Sequence, residues 1–299
     1  MIETTNTVVI HVAKYLDGND RLCHHDCLFC IERMEPGYSN GLLPSISAID
    51  LALSHYVKVR GRIYKVYIAG GEPTLRSDFK DIVNVVYQYC ENIVVSTSCD
   101  FDEPDNMIEI IGTLGIKCIA TSIHSHFSKV HDILTGSRGS FDRTISSIRK
   151  FISKGVSVTV NSVINLFNIL EMKDIIECFQ LRDINIEKLT LTHYINHGNA
   201  FYHNELKFNI DDYHDSVSKA LNILGDVNYD VTFRDFPICI DERLSEHQEH
   251  VEDIDIINLN VAPINIECEK APSFIKNKCY RCKWFEKCPH YLIANYGEV

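Results

Sequence analysis

Three cysteines near the start of the chain have the spacing C-x3-C-x2-C, within the segment Cys23-His24-His25-Asp26-Cys27-Leu28-Phe29-Cys30. Three thiolates on one short loop can bind three irons of a [4Fe–4S] cluster and leave the fourth iron open to another ligand. A structural zinc site with His24 or His25 as the fourth ligand, or three unrelated core thiols, would also fit the pattern. The spacing alone favours a cluster over zinc, and the alternatives stay open at this point.

A second group of cysteines lies near the other end of the sequence, where Cys279, Cys282 and Cys288 have the spacing C-x2-C-x5-C. This spacing suits a zinc knuckle and an iron–sulfur cluster equally well. The chain has 12 cysteines, mainly in these two groups, whereas a secreted disulfide scaffold is short and cysteine-dense throughout. The distribution indicates metal or iron–sulfur ligation in a reducing compartment.

A glycine-rich segment, Gly70-Gly71-Glu72-Pro73, follows an apolar run that predicts a β-strand. Two adjacent glycines let a small ligand approach the backbone closely, and the carboxylate of Glu72 can accept hydrogen bonds from an ammonium group. The same four residues would also serve as a plain turn between a strand and a helix.

The elements that position these residues follow a regular alternation of strand-length apolar runs and amphipathic helical runs. The predicted strands are 7–12, 63–68, 93–96, 116–120, 156–163 and 189–192, and the predicted helices are 46–59, 78–90, 103–112, 140–153 and 170–180. Six consecutive units of this kind predict an α/β fold, a partial (β/α)6 TIM-like barrel, with ligands at the carboxyl ends of the strands. The cysteine triplet and the glycine segment both follow predicted strands and should meet at that end.

The alternation stops after residue 198, and we divide the chain near residue 205. The predicted domains are a core, 1–205, and a small cysteine-rich C-terminal extension, 206–299. The extension has a predicted helix at 211–224, a predicted strand at 229–233 and a polar stretch at 241–255.

Taken together, the cysteine triplet and the Gly-Gly-Glu-Pro segment one β/α unit later resemble the motifs of the radical S-adenosylmethionine (SAM) superfamily. The resemblance implies SAM as cosubstrate, cleaved reductively to methionine and a 5′-deoxyadenosyl radical that abstracts a hydrogen atom. It also implies contacts with SAM. The backbone around Phe29 would contact adenine, and Ser122 would contact the ribose. Asn161 on the fifth strand would be a further contact, and the methionyl amino group would be bound by Gly70, Gly71, Glu72 and Pro73. His124 stands two residues after Ser122, where the pattern usually has Asp.

The second cysteine group resembles the tails called SPASM or Twitch, which hold auxiliary [4Fe–4S] clusters. A full SPASM tail has a further cysteine four residues on, where this chain has Leu292. The resemblance therefore implies one auxiliary cluster bound by Cys279, Cys282 and Cys288, and two [4Fe–4S] clusters in total. We predict Cys239 as its fourth ligand ahead of Cys268. Whichever of these two is not a ligand would be a hydrogen donor in the reaction or an inert thiol.

The chain is acidic, with 29 Lys and Arg against 41 Asp and Glu and a formal net charge of −12. Nucleic acids and anionic membranes are bound by clustered cations, so this balance argues against both as partners. The first residues lack the basic and apolar regions of a signal peptide, and no apolar run reaches the length of a transmembrane helix. We expect a cytoplasmic location.

The leading hypothesis is a radical SAM enzyme that oxidises, crosslinks or epimerises a peptide substrate, a ribosomal peptide natural product. One alternative is a dehydrogenase or epimerase of a small molecule such as a sugar or aminoglycoside, another is chemistry on RNA or a cofactor precursor, and a third is a non-enzymatic, zinc-stabilised binding protein. The enzyme hypothesis implies a reductant of the flavodoxin or ferredoxin type. Because no peptide-binding domain is recognisable before the first strand, a peptide-modifying enzyme would need a separate recognition protein or a short substrate.

Overall fold

The computed structural model describes residues 6–13, 23–31, 43–249, 254–259, 265–267, 281–284 and 288. Cys268 and Cys279 lie outside the described residues, so what is said of them stays a prediction. The cysteine triplet, the glycine segment, Cys239, Cys282 and Cys288 lie within them.

The described strands form a single sheet. They are β1 (Thr7–Ala13), β2 (Lys65–Gly70), β3 (Ile93–Ser96), β4 (Cys118–Ser122), β5 (Ser157–Ile164), β6 (Lys188–His193), β7 (Asp230–Arg234), β8 (Ile254–Asn258) and β9 (Asn265–Glu267). Their order across the sheet is β7-β6-β5-β4-β3-β2-β1-β8-β9. All neighbours are parallel except β8 and β9. The eight parallel strands curl into a half-barrel, which confirms the predicted α/β, TIM-like class.

The helices lie between the strands. They are α1 (Ile46–Arg60), α2 (Phe79–Tyr87), α3 (Pro104–Thr113), α4 (Ser128–Thr135), α5 (Ser140–Ser153), α6 (Met172–Leu181), α7 (His214–Asn222) and α8 (Leu244–His247). α1 begins after Ser45, whose hydroxyl accepts a hydrogen bond from the Ala48 N–H at 3.2 Å, and ends at Gly61 with a positive φ of 89°. No described helix has the length and apolar character needed to span a bilayer.

The core lies between the sheet and its helices. Alternate strand residues such as Val8, Ile10, Leu189 and Leu191 are fully buried, as expected when one face of a sheet is covered by helices. The opposite face lines the inside of the half-barrel and is more polar. Paired positions on neighbouring strands point to the same face, and one such row across β4 to β7 is Ser122, Asn161, Thr190 and Thr232.

The structure extends the predicted six units. β7 pairs with β6 and β8 pairs with β1, so the parallel sheet continues past residue 205. α8 and the start of β8 lie in residues 241–255, for which the sequence predicts a polar stretch and indicates no helix or strand. α4 was not predicted, because polar residues, His131 and Thr135, occupy two of its three buried positions and interrupt the apolar periodicity. The division of the chain near residue 205 stays a prediction.

Candidate active site

The three cysteines of the triplet line one cavity at the carboxyl ends of the strands. Cys23, Cys27 and Cys30 share it with Gly70, Gly71 and Ser122. Burial, and then the neighbouring Cys30 and Cys23 thiols, raise the pKa of Cys27 well above its usual range, a sign of how close the three sulfurs are. Within the described part of the chain, no group of three or more Cys, His, Asp or Glu is arranged to hold a metal ion in a compact site.

Two segments hold the backbone of the cluster loop, residues 23–31. On one side, the Asp26 and Leu28 N–H groups donate to the Thr135 and Leu134 carbonyls at the end of α4, at 2.8 and 3.0 Å. On the other side, Asn199 donates from Nδ2 to the Cys27 carbonyl and from its backbone N–H to the Cys30 carbonyl, each at 2.8 Å. Asn199, which follows β6, therefore holds the backbone carbonyls of two predicted iron ligands, Cys27 and Cys30.

The buried carboxylate of Asp100 also fixes the loop, through His25 and Arg143. His25 donates from Nε2 to Asp100 Oδ2 at 2.9 Å, and Arg143 on α5 binds both oxygens of the same carboxylate. The Asp100 side chain is only 2% exposed. Burial alone would raise the pKa of Asp100, but the hydrogen bonds from His25 and Arg143 hold it well below its usual range. Because Nε2 of His25 is bound to Asp100, the structure does not favour His25 as a zinc ligand.

The glycine segment lies where only glycine fits. Gly70 has a φ of 122°, and a Cβ at this position would stand 1.9 Å from the Ala13 carbonyl oxygen. The Gly71 N–H donates to that same oxygen at 2.7 Å. Close contact between β1 and β2 therefore requires Gly70, and the backbone of both glycines lines the cavity.

Glu72 is placed behind the cavity wall. Its carboxylate is fully buried and accepts hydrogen bonds from the Ser98 N–H and hydroxyl, both at 2.8 Å, and from the Thr74 hydroxyl at 2.6 Å. These bonds tie the end of β2, where Pro73 begins a 3-10 turn (Pro73–Leu75), to the loop after β3. Contact with the methionyl amino group stays a prediction for Glu72 and Pro73.

The other residues predicted to contact SAM lie around the same opening. Phe29 and Ser122 line the cavity. Asn161 is paired with Ser122 across β4 and β5, and its Oδ1 accepts a hydrogen bond from the Thr192 hydroxyl at 2.6 Å. The parallel register therefore brings Ser122 and Asn161 to neighbouring positions on the inner face of the barrel.

The described part of the second cysteine group lies near the turn that carries Cys239. Cys239 is exposed in the loop after β7, and Lys283 makes an ion pair of 2.6 Å with Glu242, three residues later in that loop. The Cys288 N–H donates to the Trp284 carbonyl at 2.8 Å, and the Trp284 N–H donates to Cys282 Sγ at 3.5 Å. These contacts place Cys282 and Cys288 each next to Trp284, and Lys283 beside the loop that carries Cys239.

Residues 21–181 match the sequence family described as the radical SAM superfamily, and this is more than half of the chain. The chain belongs to this superfamily. Membership implies SAM and one [4Fe–4S] cluster, and the three cysteines in one cavity beside two glycines fit both groups. Membership in a superfamily of enzymes also contradicts the alternative hypothesis of a non-enzymatic, zinc-stabilised binding protein.

The names of proteins similar to this chain describe different activities. Over 199 residues the chain is 31% identical to a probable GTP 3′,8-cyclase of Saccharolobus solfataricus, covering 66% of this chain and 62% of that protein. It is 26% identical over 157 residues to SkfB of Bacillus subtilis, a sporulation killing factor maturation protein, covering 52% of this chain and 36% of that protein. The chain spans less than two thirds of the length of either relative.

A solved structure shares the fold over nearly the whole chain. Native anSMEcpe with bound AdoMet (SAM) and the Cp18Cys peptide has a TM-score of 0.63 and 13% sequence identity, covering 95% of this chain and 87% of that one. At this identity the likeness concerns the fold alone.

Sequence patterns did not reveal several residues of this radical SAM site. Asp100, Arg143 and Asn199 hold the cluster loop through contacts that no local motif marks. His124 was noted only as a departure from the superfamily pattern, yet it lines the cavity. The structure marks the loop after β3 by Cys99, whose positive φ of 56° is rare for a non-glycine residue and is not visible in the sequence.

Proposed function

We propose that the chain binds its [4Fe–4S] cluster through Cys23, Cys27 and Cys30, binds SAM against Gly70 and Gly71, and abstracts a hydrogen atom from a peptide. The observation that carries the proposal is the cavity shared by the three thiols and the backbone of the two glycines. The bound cluster and SAM would supply the electron transfer and the 5′-deoxyadenosyl radical that this chemistry requires.

The chain's own residues would position SAM and exclude water. The backbone near Phe29 would contact adenine, Ser122 would contact the ribose, and Asn161 would lie beside it. Gly70, Gly71, Glu72 and Pro73 would meet the methionyl amino group, and the Glu72 carboxylate also orients Ser98 and Thr74.

The rim of the barrel supports a peptide as substrate. Large apolar side chains are exposed on the loops that follow β4, β5 and β6, at the end of the barrel that carries the cavity. They are Phe127 at 57%, Leu166 at 43%, Phe167 at 38%, Phe201 at 59% and Tyr202 at 50% exposure. Such a surface fits apolar or aromatic residues of a peptide, and exposed apolar side chains grouped around a site often mark a binding surface. The names of SkfB and of the anSMEcpe–peptide complex point in the same direction.

A nucleotide is the second candidate, favoured by the identity to the GTP 3′,8-cyclases. A triphosphate requires several cations, and two that line the inner face, Lys188 and Arg234, already bind the same carboxylate, Glu249. Because both are paired with Glu249, these two cations are already neutralised in part and are less available to a triphosphate. These contacts give no specific support to the alternative of a sugar or aminoglycoside substrate.

An auxiliary [4Fe–4S] cluster in a Twitch- or SPASM-like extension, residues 206–299, is part of the proposal. Cys279, Cys282 and Cys288 would bind it with Cys239, and the Lys283–Glu242 pair beside the Cys239 loop supports this choice over Cys268. Ligation by four thiolates suits electron transfer and therefore an oxidation or crosslink. In this proposal the enzyme works in the cytoplasm with a flavodoxin- or ferredoxin-type reductant and a separate peptide-recognition protein.

The test is anaerobic turnover of the reconstituted full chain with SAM, dithionite and candidate peptides that carry a deuterium label. With the labelled peptide we expect 5′-deoxyadenosine that contains deuterium. With the same peptide unlabelled, we expect a mass that falls by two units for oxidation or rises by one in D2O for epimerisation. The Cys27→Ala variant should produce no 5′-deoxyadenosine, whereas Cys90→Ala, at a buried cysteine outside the cavity, should retain the activity. If the enzyme turned over GTP but none of the peptides, the proposed substrate would be the nucleotide instead of a peptide.

A further inference from the structure

His124 lies at the wall of the cavity, two residues beyond the end of β4. It lines the same cavity as Cys23, Cys27, Cys30 and Ser122, although only 3% of the residue is exposed. The superfamily pattern usually has Asp at this position. A histidine here offers a group that a carboxylate does not, a neutral N–H donor.

The tautomer of His124 is fixed by the backbone. Its Nδ1 accepts a hydrogen bond from the Val163 N–H at 3.1 Å, so the proton of the neutral ring must be on Nε2. Burial, and then the nearby His131 and His25, lower the pKa of His124 well below its usual range, and the ring is neutral at physiological pH. An Asp could accept from the same N–H but could not donate.

Neighbouring groups hold the ring in one orientation. Phe29 packs edge-on against it with centroids 4.5 Å apart, and Asn168 donates from Nδ2 to the His124 carbonyl at 2.6 Å. Among the described residues, none accepts a hydrogen bond from His124 Nε2. Nε2 is also absent from the buried, unpartnered side-chain atoms of the described residues, and because His124 lines the cavity we infer that Nε2 faces its open space.

His131 provides a direct contrast within the same cluster of rings. It too accepts a backbone hydrogen bond at Nδ1, from the His124 N–H at 3.1 Å, and its ring stacks on that of His124 with centroids 5.6 Å apart. It is fully buried, however, and its Nε2 is enclosed away from the cavity. The two histidines share a tautomer and differ in whether Nε2 reaches a ligand.

We propose that His124 donates a hydrogen bond from Nε2 to the nucleoside part of SAM, next to the Phe29 segment, and so is a specificity-determining residue for the cosubstrate. This inference rests on the SAM-binding part of the proposed function. The acceptor is a ribose oxygen or a ring nitrogen of adenine, and both belong to the adenosyl group.

The test measures the Kd of SAM for the anaerobically reconstituted full chain, without turnover. In His124→Asn the amide oxygen replaces Nδ1 as acceptor for Val163, while the Nε2 donor is lost. We expect the Kd to rise about tenfold, as for one neutral hydrogen bond to a ligand. The matched control His131→Asn removes the same ring atoms outside the cavity and should leave the Kd within about twofold.

A second variant keeps the proposal testable if His124→Asn binds little iron. His124→Gln can place an amide N–H near the position of Nε2 but cannot accept from Val163, so we expect a lower melting temperature with a Kd within about threefold of the wild type. Equal Kd values for wild type and His124→Asn, or equally weak binding by both variants of His124, would overturn the inference. A wild type that binds no SAM would instead overturn the proposed function.

SAM analogues identify the acceptor. Analogues that lack a ribose hydroxyl, or that carry 3-deazaadenine or 7-deazaadenine, should bind the wild type more weakly. The analogue that lacks the acceptor should lose no further affinity when His124 is replaced by Asn, because the contact is already gone. Independent losses for every analogue would exclude a direct bond from His124.

Discussion

His25 donates a hydrogen bond from Nε2 to Asp100 across 2.9 Å, in the interior of the protein. This contact joins the middle of the cluster loop, between Cys23 and Cys27, to the loop that follows β3. Arg143 on α5 donates further hydrogen bonds to both oxygens of the Asp100 carboxylate. Together with the backbone hydrogen bonds to α4 and from Asn199, the buried His25–Asp100 contact at the centre of the loop would hold the thiols in position before the cluster is assembled.

The Asp100→Asn variant tests this role. The substitution removes the charge that binds Arg143 and His25, and we expect it to cost about 2 kcal/mol at pH 7, since the Arg143 side chain is 37% exposed and partly screened. The pKa of Asp100 is depressed, so its stabilising effect is present above the ordinary carboxylate pKa near pH 4 and is lost as the pH falls below it. Urea unfolding of both proteins should therefore show a difference that shrinks below pH 4.

Asp105→Asn is the control for that experiment, because Asp105 makes an exposed ion pair with Lys150 and its side chain is 84% exposed. It should leave stability unchanged. Iron incorporation should fall in Asp100→Asn and stay at the wild-type level in Asp105→Asn. Full iron content together with wild-type stability in Asp100→Asn would show that the ion pair does not position the cluster loop.

Gly70→Ala should disrupt the junction of β1 and β2. The new Cβ would stand 1.9 Å from the Ala13 carbonyl oxygen, and φ at this position is 122°. Gly61→Ala is the matched control, because Gly61 also has a positive φ, 89°, but no atom lies within 4 Å of the position that an added methyl group would take. We expect Gly61→Ala to cost about 1–3 kcal/mol from backbone strain alone, and Gly70→Ala to cost at least about 2 kcal/mol more because of the added clash. Equal urea midpoints for the two variants would contradict the steric argument.

Local patterns predicted the elements and motifs of this chain well. β3 and α5 have the bounds that apolar periodicity predicts, and the cysteine triplet and glycine segment meet at one cavity because parallel β/α units place all strand ends together. These features depend on residues close together in the sequence. Periodicity and spacing are therefore sufficient to find them.

The contacts that hold the site were not predictable in this way. His25 and Asp100 are 75 residues apart, and Asn199 and Cys27 are 172 residues apart. A single Asp or Asn carries no local mark of such a partner, and its role follows only from the tertiary arrangement. Glu72 is a further example, since the motif did not indicate that its carboxylate oxygens accept hydrogen bonds from Thr74 and Ser98, while its contact with SAM stays a prediction.

Cys239→Ala tests the fourth ligand of the proposed auxiliary cluster. Two [4Fe–4S] clusters correspond to about 8 Fe per chain, and loss of the auxiliary cluster would leave about 4. We expect iron analysis of the anaerobically purified protein to give the lower number for Cys239→Ala and the higher number for Cys90→Ala, whose cysteine is buried in the core. A full iron content in Cys239→Ala, with the lower value in Cys268→Ala, would assign the ligand to Cys268.

Asp235 makes the stability of the protein depend on pH near neutrality. It follows β7 directly, has a positive φ of 63° and is 7% exposed, and burial raises its pKa to about 6. Because the folded-state pKa lies above the unfolded value near 4, protonated Asp235 is favoured in the folded protein, and this contribution to stability is lost as the pH rises from 4 through 6. Asp235→Asn removes the cost of the buried charge and keeps a residue type that tolerates a positive φ.

We therefore expect Asp235→Asn to be more stable than the wild type by about 2 kcal/mol at pH 8, with the difference falling towards zero at pH 4. Asp183→Asn is the matched control, since Asp183 also has a positive φ, 54°, but is less buried than Asp235. Its effect on urea unfolding should be small and independent of pH. If the difference between Asp235→Asn and the wild type were the same at pH 4 and pH 8, the carboxyl group would not be the titrating group, and the pH dependence of unfolding would have to come from the buried histidines instead.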